Sequence, residues 1–75
     1  IYLKPAWLYF DNLPMEVSFA DIMLAAQKRE EVCFGLKIRS EEYEPKFGIN
    51  IIPKKDDVFT LEDGDSLIVL AEDEY

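Results

Sequence analysis

The chain has no histidine, a single cysteine and only three glycines among its 75 residues. Each shortage removes a class of chemistry. Without histidine there is no imidazole base to activate Ser18, Ser40, Ser66 or the lone thiol of Cys33. One cysteine makes an intrachain disulfide impossible, and with no histidine beside it a zinc site lacks ligands. Three scattered glycines leave no Gly-rich loop to cradle a phosphate. No apolar run approaches the ~20 residues that span a bilayer, and no secretory signal pattern is present. Nothing requires an oxidising compartment, so Cys33 reads as a small buried hydrophobe.

Bases are also missing where they would matter. Net charge is −8, and all of the excess lies in the last twenty residues. There Asp56, Asp57, Glu62, Asp63, Asp65, Glu72, Asp73 and Glu74 stand without one lysine or arginine. Nucleic acids and anionic lipids want basic patches, so both are disfavoured as partners, and the fragment is not expected to insert in a membrane. Divalent cations and basic protein surfaces remain compatible.

What is present is a folded-domain composition, with 49% hydrophobic and 32% charged residues. A chain this short forms one domain with a modest core. It starts at Ile1 inside an apolar segment, which suggests a single module, residues 1–75, cut from a longer protein.

The segment "IYLKPAWLYF" (1–10) reads as a strand, confined to an edge or broken at Pro5, which has no N–H to donate. "DNLP" (11–14) is turn chemistry. Ser18 caps a helix over 18–29: Phe19, Ile22, Met23 and Ala26 form one apolar stripe, Asp21 sits near the positive end, and Lys28 and Arg29 fall in the last turn. In "EVCFGLKIR" (31–39) alternation sets Val32, Phe34, Leu36 and Ile38 on one face and Cys33, Gly35, Lys37 and Arg39 on the other. After a polar loop, "INII" (49–52) is a short strand stopped by Pro53. "VFTL" (58–61) is extended or irregular, with Phe59 and Leu61 inward. "DSLIVLA" (65–71) is apolar on both faces, which predicts a central strand covered on both sides. The order strand, helix, strand, strand, strand gives an α+β fold: one main helix against a small, mostly antiparallel sheet.

The acids do not assemble into a recognisable site. With Gly64 at the sixth position of a calcium loop, two of the three preceding ligand positions are Phe59 and Leu61. Glu62–Asp63–Gly64–Asp65 reads instead as a turn, with Gly64 there for its backbone freedom. Glu72, Asp73 and Glu74 are the candidate metal ligands, although consecutive strand residues point to alternate faces. No nucleophile–base pair exists, so the chain is not expected to be an enzyme and needs no catalytic cofactor. Trp7, Tyr9 and Phe10 are a dense aromatic group and the candidate dimer interface.

Taken together, "EVCFGLKIRS", the "L-x-x-G-D-x-L-I-V-L" element at Leu61 to Leu70 and the ending "GDSLIVLAEDEY" resemble the C-terminal lobe of RCK domains, the TrkA-C domain. The ending is most similar to that of CASTOR/POLLUX-type ion channels and their microbial relatives. The resemblance covers nearly the whole chain. It implies a regulatory domain on the cytoplasmic side of a potassium or other cation channel or transporter. Its partners would be the rest of its own channel chain and a second copy, as a dimer or higher ring. It also implies a divalent cation or small regulatory ligand. Arg39 at the end of the strand from Val32 is then the charged ligand contact, with Glu72 and Asp73 as further candidates. The alternative from the residues alone is a stand-alone α+β interaction module that docks a basic partner through its acidic C-terminal third.

Overall fold

The computed structural model describes residues 1–72. Six strands and one α-helix make it up: β1 (Tyr2–Pro5), β2 (Met15–Ser18), α1 (Phe19–Gln27), β3 (Val32–Lys37), β4 (Ile49–Ile51), β5 (Val58–Leu61) and β6 (Ser66–Leu70), with short 3-10 turns at Ala6–Leu8 and Arg39–Glu41. The four-stranded sheet runs β1-β6-β3-β4, and β2 pairs with β5 as a separate two-stranded sheet. Every pairing is antiparallel. This is the expected α+β fold, one helix packed on a small antiparallel sheet, with two strands beyond the expected order: Met15–Ser18 is β2, to which the sequence assigned no element, and Val58–Leu61, expected as extended or irregular, is β5.

Pro5 behaves as its chemistry demands. It closes β1, an edge strand, and the chain turns at once into a 3-10 turn, so the first strand is less than half the expected length. The Leu13–Pro14 peptide bond is cis.

The helix starts at Phe19 because Ser18 caps it, its hydroxyl accepting from the Asp21 N–H at 3.2 Å. Two further orphan N–H groups are satisfied from outside: Phe19 donates to the Asp57 carbonyl and Ala20 to that of Lys55. The helix ends at Gln27, so Lys28 and Arg29 follow its last turn rather than fill it. Glu30 then takes a left-handed conformation (φ 60°) that turns the chain into β3. Phe19, Ile22 and Ala26 are buried and Met23 is half-buried, the predicted stripe. Burying Phe19 and Ile22 contributes about 2 kcal/mol each.

Two expectations about strand faces are corrected. In β3 the pairing with β6 shifts between Cys33 and Gly35, a bulge centred on Phe34. The extra residue resets the alternation. Cys33 therefore joins Leu36 and Ile38 in the core, while Val32 is turned out to solvent. β6 is central, flanked by β1 and β3, but it is not covered on both sides. Leu67 and Val69 face the helix side and are fully buried, whereas Leu70 is exposed on the other. The core of Val17, Phe19, Ile22, Ala26, Leu36, Leu61, Leu67 and Val69 thus fills only the inner side of the sheet.

Candidate functional site

Among the described residues three polar side chains are buried, and their arrangement is the most informative chemistry there: Lys4, Glu31 and Asp65. Of these the sequence singled out only Asp65, as part of a turn. Lys4 lies at the one charged position inside the first apolar run, on the inner face of β1. That position was the available signal. Glu31 sits in the turn between α1 and β3. Its carboxylate accepts from Lys4 Nζ at 2.5 Å through Oε2 and from the Tyr9 hydroxyl through Oε1. Arg29 Nε lies 3.6 Å from the same Oε2, and its guanidinium stands 5.4 Å from the centre of the Tyr9 ring. Burial is the largest single influence on Glu31 and pushes its carboxyl up. The hydrogen bonds from Lys4 and Tyr9, with the charges of Lys4 and Arg29, outweigh it and leave the group below its ordinary value. Tyr9 moves the other way: burial, then the bond to Glu31 and its negative charge, raise the phenol far above its usual 10. The cluster holds a saturated, ionised pair. It is suited to locking β1 to the helix–strand turn, with no carboxyl poised near neutrality.

Asp65 forms a second clasp. One carboxylate oxygen accepts from the Arg39 backbone N–H and the other from that of Glu62, both at 2.8 Å. Its own N–H donates to the Glu62 carbonyl, and its carbonyl accepts from Ala6. One aspartate therefore fixes the β5–β6 turn, the exit of β3 and the exit of β1. Gly64 is beside it for space and not for backbone freedom, because its φ lies outside the left-handed region that favours glycine. A Cβ there would come within 2.4 Å of Arg39 Cδ, so the Arg39 side chain lies across the turn. The "G-D" element is thus a structural clasp in this chain.

The other sequence candidates are distributed as follows. Arg39 begins a 3-10 turn beyond the end of β3 and is exposed. Glu72 is exposed just past β6. Since β3 and β6 are antiparallel, Arg39 and Glu72 lie at opposite ends of the sheet and do not form one ligand site. Asp73 and Glu74 lie outside the described residues. Among the described residues no group of three or more Asp, Glu or Cys side chains is placed to hold a metal ion. Of the aromatic trio, Tyr9 and Phe10 pack against the core and Trp7 is exposed. Cys33 is buried, and burial pushes its thiol up, away from reactivity.

The outward side of the four-stranded sheet is apolar. Leu3, Val32, Ile49, Ile51 and Leu70 are all exposed there. Among the described residues no helix is long and apolar enough to cross a membrane. Compared with protein-family models, curated proteins and solved structures, the chain matches none.

Proposed function

We propose that this chain is a regulatory module, ligand-sensing and pairing, of a potassium or other cation channel or transporter, placed on its cytoplasmic side. The resemblance of Leu61–Leu70 and the "AED" ending to TrkA-C lobes motivates the reading. The observation that carries it is the exposed apolar side of the sheet. A small domain has completed its core on one side of β1-β6-β3-β4 and still presents a second hydrophobic side, which is what a module that works against another body requires.

The chemistry suits binding and not turnover. The buried charges are consumed in structural pairs, and the exposed acids have no base or nucleophile to work with. Regulation would act by population shift: a cation or small ligand that favours one arrangement of the module over another biases the pore by that difference in affinity alone. In the full-length protein, removing this module changes ligand-dependent ion flux. Flux and its ligand response that stay the same without the module would overturn the reading.

The second reading is a stand-alone adaptor that docks a basic partner. Asp56, Asp57, Glu62 and Asp63 are exposed as it requires. Yet the first pair precedes β5 and the second follows it, so they occupy opposite ends of a strand and form no single patch. Asp65, buried, is not available to a partner.

A further inference from the structure

The outward side of the large sheet can be read row by row, because partners directly opposite across a ladder share a face. Leu3, Ile68, Gly35 and Ile51 stand opposite one another across β1, β6, β3 and β4. On one side of that row Val32 is opposite Leu70; on the other, Lys37 is opposite Ser66 and Ile49. Leu3, Val32, Ile51 and Leu70 are 54%, 62%, 54% and 55% exposed. Ile68, in the middle, is 8% exposed although it is not part of the core cluster. Gly35 explains this. With no side chain there, the Cδ1 groups of Ile68 and Ile51 lean over it, 3.2 and 3.1 Å from where a Cβ would stand. The result is a closely packed apolar sheet face without a second layer. Its exposed side chains present on the order of 600 Å² per chain, at the upper end of what a monomer normally shows.

We propose that the layer covering this face is the same face of a second copy, in a sheet-on-sheet dimer whose two-fold axis runs between the sheets, perpendicular to the strands, near Gly35 and Ile68. This deepens, and rests on, the reading of the chain as a pairing module. It commits to a surface and an orientation. Two observations select the occupant. The first is area: two such faces bury about 1,200 Å² of apolar surface before any polar rim is counted, the lower bound of a specific interface. The second is charge. Within these rows the only charged residue is Lys37, at the Ser66 end. Glu30 and Glu72, both exposed, flank Val32 and Leu70 at the other end. An axis perpendicular to the strands reverses strand direction between copies and sets Lys37 of each over the Glu30/Glu72 end of the other. An axis along the strands would set lysine over lysine. No acid stands in these paired rows, so the dimer brings no carboxylate into the apolar contact.

The test is sedimentation equilibrium of the chain beside two sets of variants. Leu3→Glu and Leu70→Glu, at exposed positions, raise the dimer dissociation constant at least tenfold, because each puts an unpaired charge into the apolar contact. Leu24→Glu on the helix and Trp7→Glu on the 3-10 turn leave it unchanged. In the wild-type chain, amide shifts that change on dilution fall on β1, β3, β4 and β6, a measurement that needs no variant to fold. A zero-length carbodiimide couples Lys37 of one copy to Glu30 or Glu72 of its partner. A chain that stays monomeric to millimolar concentration overturns the proposal. So does a dimer broken by Trp7→Glu and indifferent to Leu3→Glu, though that result leaves the pairing-module reading intact. Lys37–Lys37 proximity would overturn the orientation. Ion flux in the full-length protein tests the regulatory reading separately.

Discussion

Lys4 Nζ lies 2.5 Å from Glu31 Oε2, joining two buried side chains that are 27 residues apart. The pair ties the first edge strand to the turn that launches β3. Removing one partner leaves the other charged and dehydrated, which costs about 3–5 kcal/mol. A domain of this size is stable by only ~4–11 kcal/mol. Glu31→Ala is therefore expected to remove a large share of that stability and to lower the midpoint of thermal or urea denaturation sharply. The double variant Lys4→Met with Glu31→Gln, which removes both charges and keeps an acceptor for Tyr9, recovers most of the loss. Equal destabilisation by the single and double variants would count against the pair as the cause.

The same cluster sets the pH limits of stability. Glu31 is held below its ordinary 4.5 in the folded chain, so the unfolded chain takes up its proton first as pH falls. Its contribution is complete above about 4.5 and disappears as pH drops through the folded value. The gap in Tm between wild type and Glu31→Gln narrows over that acid range. Tyr9 is raised above 10. Its contribution is complete below about pH 10 and falls away above it, as the unfolded phenol ionises first. Tyr9→Phe costs about 1–2 kcal/mol at neutral pH and flattens the alkaline loss. An unchanged alkaline slope in Tyr9→Phe would refute that assignment.

Asp65→Ala removes the shared acceptor of the Arg39 and Glu62 N–H groups. The expected loss is about 3 kcal/mol, since bonds to a charged acceptor are stronger than neutral ones and two donors are stranded. Asp65→Asn keeps one acceptor oxygen and loses less. Amide exchange at residues 39 and 62 is the local readout, and both should speed up in Asp65→Ala relative to amides in the helix.

Gly35→Ala places a Cβ 2.7 Å from the Asn50 carbonyl oxygen, a backbone atom of β4. Relief requires β4 to shift, at a cost of about 1–3 kcal/mol. Gly48→Ala is worse placed, with φ at 77° and the Ile38 carbonyl oxygen 2.2 Å from the new Cβ. Both variants lower Tm, and Gly48→Ala lowers it more. Neutral substitution at either position would mean that β4 adjusts freely.

Much of this architecture is local and hence legible in sequence. The Ser18 cap and the stripe Phe19, Ile22, Met23 and Ala26 fix the helix to within two residues, because capping and periodicity act over one or two turns. Pro5 and Pro53 end strands because a missing N–H cannot be supplied from elsewhere. The apolar run Leu67 to Val69 became the central strand. Tertiary structure decided the rest. β2 exists through its ladder to β5, which lies some forty residues on. The bulge at Phe34 arises from the register against β6, and it exchanged the faces of Val32 and Cys33. Whether a central strand is covered on one side or two depends on where the single helix packs. Asp65 looks like any turn acid until its two N–H donors arrive from separate elements. Lys4 and Glu31 are ordinary charges in isolation and become a buried pair only when the edge strand meets the helix–strand turn. Hydrophobic spacing carries no information about which distant charge will neutralise a buried one, and that choice was made by the fold.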